Sequence, residues 1–385
     1  MNLDLTEEQR LIQDMTREFA AAELAPVAAE LDRGENQEMF HANLRKLAEL
    51  GLMGLNVDEE YGGSEAGVVA FSIALTEIAR ACSSTAVTVS VNNMVNEVIQ
   101  ALGSEEQKKK YIQRICGGEY LAGAFALTEP GAGSDPAGMT TSAVRDGDDW
   151  VLNGSKIFIT SGNCAGVFVV WAVTDPTAPK GKGISLFLVE AGTEGLVVGK
   201  KEEKMGQNAS ATNEILFQNC RIPADALMGQ ENDGFRVAVT ELAGGRIGIG
   251  SLALGVGLAA MDAATRYSLE RKQFGKLISD FQAIQWKISD MYTALEASRL
   301  LLMNAAYKKE QGRSFAKEAS MAKLFASEAA NKACYEAMQI LGGYGYTREY
   351  PIERYTRDAR ITTIYEGTSE IQRLIIAREI LREFS

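Results

Sequence analysis

Between residues 121 and 235 the chain carries a succession of short runs rich in β-branched and aromatic residues, and no helix-length segment separates them. The runs are Trp150-Val151-Leu152, Lys156-Ile157-Phe158-Ile159-Thr160, Val167-Phe168-Val169-Val170-Trp171, Ile184-Ser185-Leu186-Phe187-Leu188-Val189 and Glu214-Ile215-Leu216-Phe217. Asn153-Gly154, Asp175-Pro176 and Lys180-Gly181-Lys182-Gly183 punctuate them as turn signals. Parallel strands need long, usually helical crossovers. This third therefore predicts an antiparallel β domain and excludes a dinucleotide-binding βαβ unit.

On either side the apolar period is helical. Upstream, Leu11, Phe19, Leu24, Leu44, Leu47, Leu50 and Leu52 recur at helical spacing, and Thr6-Glu7-Glu8 opens the first helix as a cap. Downstream, Ile284, Ile288, Met291, Leu295, Ser298 and Leu302 mark a long helix with one buried seam. Further helical patterns cover residues 251–271, 315–341 and 367–384. The expected fold class is α+β, mainly α. An N-terminal helical domain (1–120) precedes the middle antiparallel β domain (121–235) and a C-terminal four-helix bundle (236–385). A chain of 385 residues is long enough for more than one core.

Composition narrows the chemistry. A formal net charge of −12 argues against a nucleic-acid partner. His41 is the only histidine, so histidine triads and multi-histidine metal sites are excluded. Acid–base work must rest on a carboxylate, Lys, Tyr or Cys. The five cysteines are scattered without a CxxC pair, which fits reduced thiols and a cytoplasmic localisation. With no run of 18 apolar residues and no signal-peptide pattern, no membrane insertion is expected.

Five stretches stand out. In Ile364-Tyr365-Glu366-Gly367-Thr368-Ser369-Glu370-Ile371, a glycine that costs about 1 kcal/mol in a helix interior follows a carboxylate. Either the backbone opens so that a ligand approaches Glu366, or Gly367 ends one helix and Thr368 or Ser369 caps the next. Ala126–Asp135 places Gly131, Gly133 and Ser134 in one loop, as an anion cradle or simply a turn. Phe158-Ile159-Thr160-Ser161-Gly162-Asn163 pairs an aromatic with a hydroxyl two residues on, suited to a planar ring and its edge, or to a strand end with a core Phe. Arg271-Lys272-Gln273-Phe274-Gly275-Lys276, between two helices, offers a phosphate fork and an aromatic face, or a solvated basic loop. Gln339–Tyr346 holds Gly342, Gly343 and Gly345, more than a helix cap requires.

Together these stretches resemble the acyl-CoA dehydrogenase family over the full length, with its two signatures at Ala126–Gly138 and Gln339–Asp358. Val91-Asn92-Asn93, Gly245-Arg246-Ile247-Gly248 and Tyr365–Arg373 are most similar to the short-chain (butyryl-CoA) branch. The resemblance implies an FAD enzyme, a homotetramer (dimer of dimers), that passes electrons from an acyl-CoA to electron-transfer flavoprotein. It implies Phe125, Leu127, Thr128, Gly133 and Ser134 along the flavin, Ser134 also near the acyl-CoA, and Phe158, Ile159 and Thr160 over the ring. Arg271, Phe274 and Gln282 belong to the cofactor site, joined by Gln339, Gly342 and Gly343 of a neighbouring subunit. Thr368, Ser369 and Glu370 meet the adenosine diphosphate portion, and Ala243, Arg246 and Gly367 fall at acyl-CoA positions. Glu366 becomes the base that removes the α proton while flavin N5 takes the β hydride, giving a trans-2-enoyl-CoA. Gly367 is then expected to spare the thioester a clash.

A subset of the family carries its base at the position of Gly245, so this chain stands outside that subset. Ala243 replaces the aspartate usual in the short-chain pattern, which leaves branched, cyclic and dicarboxylic (glutaryl) acyl groups open as alternatives. An acyl-CoA oxidase and a non-catalytic assembly or binding relative are the other readings.

Overall fold

The computed structural model describes residues 4–385, apart from the side chains of Val239 and Glu241; Met1, Asn2 and Leu3 lie outside the described residues. Helices α1 (Glu7–Phe19), α2 (Gln37–Glu49), α3 (Gly67–Ala81) and α4 (Ser83–Leu102) dominate the first third. The Thr6 hydroxyl accepts from Gln9 N at 3.2 Å and Thr6 N donates to Gln9 Oε1 at 3.1 Å, so the expected cap is a full capping box. Leu24, Leu44, Leu47 and Leu52 are buried as their spacing requires. Leu11 is exposed, because α1 meets the core through Ile12, Met15 and Thr16 instead.

The middle third forms one eight-stranded sheet: β1 (Ala122–Ala126), β2 (Ser142–Asp146), β3 (Asp149–Thr160), β4 (Ala165–Val173), β5 (Ile184–Glu190), β6 (Leu196–Lys201), β7 (Thr212–Pro223) and β8 (Leu227–Met228). The path is β6-β7-β3-β2-β4-β5-β8, with β1 paired to β4. The expectation of a purely antiparallel sheet needs correction. β1 runs parallel to β4, aligning Phe125 with Val169, and β2 meets β4 in parallel at Ser142 and Val173. The long crossover between β1 and β4 is made by the β2–β3 hairpin, so a parallel pair forms here without a helix.

Both faces of β4 are covered, as its unbroken apolar run implies. Val167, Val169 and Trp171 pack with Val95, Val98 and Ile99 of α4, while Phe168 and Val170 pack with Trp150, Leu152 and Phe217 on the other face. The sheet is thereby seated on the N-terminal helices, and the loop leaving β1 is held at their junction.

Helices α5 (Gly234–Glu270), α6 (Gln282–Glu310) and α7 (Ala316–Leu341), followed by α8 (Ile352–Arg360) and α9 (Ser369–Glu383), complete the chain. On α6, Met291, Leu295, Ser298 and Leu302 are buried along the expected seam. Helix α5 begins well before residue 251, where its pattern first reads as helical. Six interior glycines mask the period, and each costs about 1 kcal/mol relative to Ala. Packing offsets that cost: a Cβ on Gly255 would stand 2.3 Å from Thr76 O of α3, and one on Gly257 2.6 Å from Leu295 Cδ2 of α6. Close helix approach is what the glycines permit. The most apolar window of α5 has a mean hydropathy of 1.6, enough to span a membrane by composition, yet 83% of it is buried inside the fold.

The basic segment between α5 and α6 is also more ordered than expected. Instead of a loop it forms a hairpin of β9 (Lys272–Gln273) and β10 (Lys276–Leu277). Phe274 (φ +52°) and Gly275 (φ +80°) form its two-residue tip, the backbone that a type I′ turn demands. All five cysteines are free thiols.

Candidate active site

After α8 a short 3-10 turn, Ile361–Thr363, leads into irregular backbone that lasts until α9. Glu366 (φ +53°) and Gly367 (φ +88°) both adopt left-handed conformations there. Thr368 Oγ1 accepts from Ile371 N at 3.3 Å and caps α9. The two readings of this stretch thus hold together: the backbone opens, and the next helix is capped. The immediate reason for glycine at 367 is the left-handed backbone and the side chain of Gln372, whose Nε2 would lie 2.6 Å from an added Cβ. These two constraints hold whether or not a thioester lies beside Gly367.

The Glu366 carboxylate points at α5. A Cβ placed on Gly245 would sit 2.9 Å from Glu366 Oε2 and 3.0 Å from Met94 Sδ, so carboxylate, thioether and helix backbone meet at one point. Glu366 Oε2 is enclosed and has no hydrogen-bond partner among the described residues, as are Arg246 Nε, Ser369 Oγ and Gln372 Oε1. Burial raises the Glu366 carboxyl above the ordinary glutamate range, against the pull of Arg246 and Lys323. A carboxylate with an enclosed oxygen that lacks donors is a stronger base than one in water.

Arg246 is buried and reaches Ser320 Oγ at 3.5 Å. Lys323, fully buried on α7, donates to Gly367 O at 2.7 Å, and burial pushes its ammonium down to about 8 even though Glu366 opposes the change. Met94, Lys323 and Gln372 were not singled out in the sequence. Met94 lies in the N-terminal third, read from the sequence as a helical domain, and Lys323 is one lysine in a helix that already carries several.

A second neighbourhood joins the loop after β1 to the end of β3. The Phe125 ring lies 4.3 Å from that of Trp171. Lys156, fully buried, donates to Leu127 O (3.1 Å) and Glu129 Oε1 (2.9 Å), and Ile157 N donates to Thr128 O (2.9 Å). Burial works to raise Glu129, but Lys156 and donors from Thr140 and Thr141 bring it down to about 2. The ion pair is therefore charged.

Beyond Lys156 the β3–β7 register slips before Ile159, and Phe158 takes φ +60°. This bulge leaves the Phe158 ring 61% exposed while Ile159 stays buried and Thr160 half-buried. Phe158 is thus not a core residue. Gly133 and Ser134 are exposed, and nothing lies within 4 Å of a Cβ on Gly131 or Gly133. An outward aromatic face beside open backbone suits a flat ligand with a polar edge.

The third neighbourhood lies on the helical domain. The Arg271 guanidinium stands 5.7 Å from the Tyr344 ring, bringing the hairpin against the Gly342–Tyr346 turn. Phe274 is 93% exposed, and Gln282, Gln339, Gly342 and Gly343 are exposed as well. Glu370 faces solvent, Ser369 is buried, and Ala243 is buried on α5 one turn before Arg246. Arg357 is committed elsewhere, to Asp32 (2.6 Å) and Glu353 (2.7 Å). One link between sheet and base turn escaped the sequence altogether. Gln207 donates through Nε2 to the Tyr365 hydroxyl (3.1 Å) and through its backbone to Asp358 Oδ1 (2.5 Å).

Three family models match almost the whole chain: the N-terminal domain of acyl-CoA dehydrogenase over residues 6–119, the middle domain over 124–220 and the C-terminal domain over 232–381. The short-chain specific acyl-CoA dehydrogenase, mitochondrial, of Mus musculus is 48% identical over 100% of this chain and 92% of its own. The solved butyryl-CoA dehydrogenase of Megasphaera elsdenii superposes with a TM-score of 0.95 at 40% identity, covering 99% of this chain and 100% of that one. A chain in a structure of the electron transferring flavoprotein of Acidaminococcus fermentans, concerned with flavin-based electron bifurcation, superposes with a TM-score of 0.96 at 44% identity, over 99% of this chain and 100% of that chain.

Proposed function

The chain belongs to the acyl-CoA dehydrogenase family, an FAD-dependent oxidoreductase family, and on that premise we propose that it converts a short-chain acyl-CoA to the trans-2-enoyl-CoA with Glu366 as base. The observation that carries the reading is the enclosed, unpartnered Glu366 Oε2 facing Gly245. Glu366 takes the α proton onto its carboxylate. FAD, when bound, would supply the acceptor for the β hydride, its electrons passing on to electron-transfer flavoprotein. Met94 and the surrounding helix wall keep water from the carboxylate, which preserves its basicity. Arg246 and Lys323 balance charge that accumulates beside it.

Phe158, Ile159 and Thr160 would cover one side of the cofactor ring, and Phe125, Leu127, Thr128, Gly133 and Ser134 would lie along it. Arg271, Phe274 and Gln282 would belong to the cofactor site, and Thr368, Ser369 and Glu370 would meet its adenosine diphosphate portion. Gln339, Gly342 and Gly343 are exposed, and they complete the site of a neighbouring subunit in a dimer of dimers. Gly367, Arg246 and Ala243 border the acyl-CoA.

Ala243 carries a second reading within the class. A small buried residue one turn from Arg246, in place of the aspartate usual in the short-chain pattern, is compatible with a branched, cyclic or dicarboxylic acyl group. The deciding experiment is the visible spectrum of the purified protein followed by anaerobic titration with butyryl-, isobutyryl-, glutaryl- and cyclohexanecarboxyl-CoA. The expected result is a yellow protein bleached best by butyryl-CoA, with Glu366→Gln binding the thioester without bleaching. A colourless protein unable to take up FAD, or a Glu366→Gln variant that bleaches at the wild-type rate, overturns the proposal.

A further inference from the structure

The turn that bears Glu366 holds two consecutive left-handed residues, φ +53° and +88°. Such backbone persists only where its surroundings over-determine it. Two buried side chains from different helices do so here. Lys323 Nζ of α7 donates to Gly367 O at 2.7 Å. Gln372 Nε2 of α9 donates to the same oxygen at 2.9 Å and to Glu366 O at 3.0 Å. Both residues are 0% exposed. The carbonyls of the base and of its successor are thus gripped from two sides. Oε2 of the carboxylate itself is left without a hydrogen-bond partner among the described residues.

A neutral donor would satisfy a carbonyl as well as an ammonium does, and a buried ammonium is costly to maintain. The charge on Lys323 has a second use, because it acts on Glu366, as does Arg246. α7 also comes close to α5 at this level, where a Cβ on Gly250 would lie 3.4 Å from Lys323 Cα, so the lysine has little freedom to withdraw.

We infer that Lys323 and Gln372 are positioning residues for proton abstraction: they lock the left-handed Glu366-Gly367 turn so that the carboxylate stays aimed past Gly245 with Oε2 free. The inference rests on the reading of Glu366 as the base, and the test separates the two.

The variants are Lys323→Met, Lys323→Arg, Gln372→Met and Glu366→Gln, each as FAD-loaded enzyme. Acetyl-CoA has α hydrogens and no β carbon, so the exchange of its α protons with D2O, followed by NMR, reports the base alone. Butyryl-CoA bleaching and thioester binding are measured beside it. Lys323→Met is expected to keep FAD and bind butyryl-CoA within about threefold, while exchange and bleaching both fall by about 100-fold, the loss that a displacement near 1 Å produces. Lys323→Arg is expected to recover part of that loss, and Gln372→Met to lose about tenfold.

Exchange in Lys323→Met within twofold of wild type overturns the inference. If that variant does not fold, Gln372→Met decides by the same criterion. Exchange retained in Glu366→Gln overturns the base assignment instead, whatever the other variants do.

Discussion

Replacing Gly245 by Ala sets stability against activity at one atom. Gly245 lies inside α5 without a left-handed φ, so Ala fits the backbone and gains about 0.5–1 kcal/mol of helix stability. The new Cβ falls 2.9 Å from Glu366 Oε2, 3.3 Å from its Cδ and 3.0 Å from Met94 Sδ. Non-bonded carbon contacts settle near 3.5–4.0 Å, so carboxylate and thioether must each retreat by roughly 0.5–1 Å. Both are ends of flexible side chains and can swing away, so overall stability is expected within about 1 kcal/mol of wild type. The base cannot swing away without losing its aim. A shift of that size lowers kcat by about 100-fold. Thermal melting of the FAD-loaded protein and steady-state turnover of butyryl-CoA read the two effects separately. A variant that melts like wild type and turns over within twofold of it would refute the claim that the carboxylate works from this position. A variant that fails to fold would refute the claim that the contact is soft.

The pH profile follows from burial of the base. Because the Glu366 carboxyl is raised above the ordinary glutamate range, the acid limb of kcat/KM is expected above about pH 4.3. The same shift makes the folded state bind the proton more tightly than the unfolded one. This group's contribution to stability therefore falls as pH rises from the unfolded to the folded pKa, which melting curves across that limb test. Glu129→Gln strands the buried Lys156 ammonium, with an expected loss of about 3–5 kcal/mol in denaturant unfolding; the double variant with Lys156→Met should recover much of it. If the double variant is as unstable as the single, the pair is not what holds the loop to β3. Gly367→Ala meets both a φ of +88° and Gln372 Nε2 at 2.6 Å, so it is expected to lose at least about 1 kcal/mol of stability and most of its turnover. Turnover near wild type would show that the turn relaxes freely.

The helix–sheet–helix order was legible because apolar period is a local property, as was the long seam on α6. Glu366 was legible as a candidate, since a carboxylate followed by a glycine violates helix propensity where the surrounding pattern favours helix. The parallel pairing of β1 with β4 was not, because strand direction depends on where a distant segment docks. The hairpin at Lys272–Leu277 was missed because Phe-Gly is not the usual Asn-Gly of a type I′ turn. The early start of α5 was hidden by glycines whose purpose lies on other helices.

The sequence by itself determined the class of the fold, the exclusion of histidine triads and multi-histidine metal sites, and Glu366 as a candidate base, because each rests on residue type or on spacing within a segment, joined for Glu366 by the family resemblance. Tertiary structure alone decided what surrounds that base. Met94 arrives from α4, Gly245 from α5, Lys323 from α7 and Gln372 from α9, and Lys156 reaches Glu129 across the loop. Whether a lysine is a solvated charge or a buried clamp depends on which segments pack against it. A period of 3.6 or 2 reports which face of a segment is buried and leaves unsaid what it is buried against.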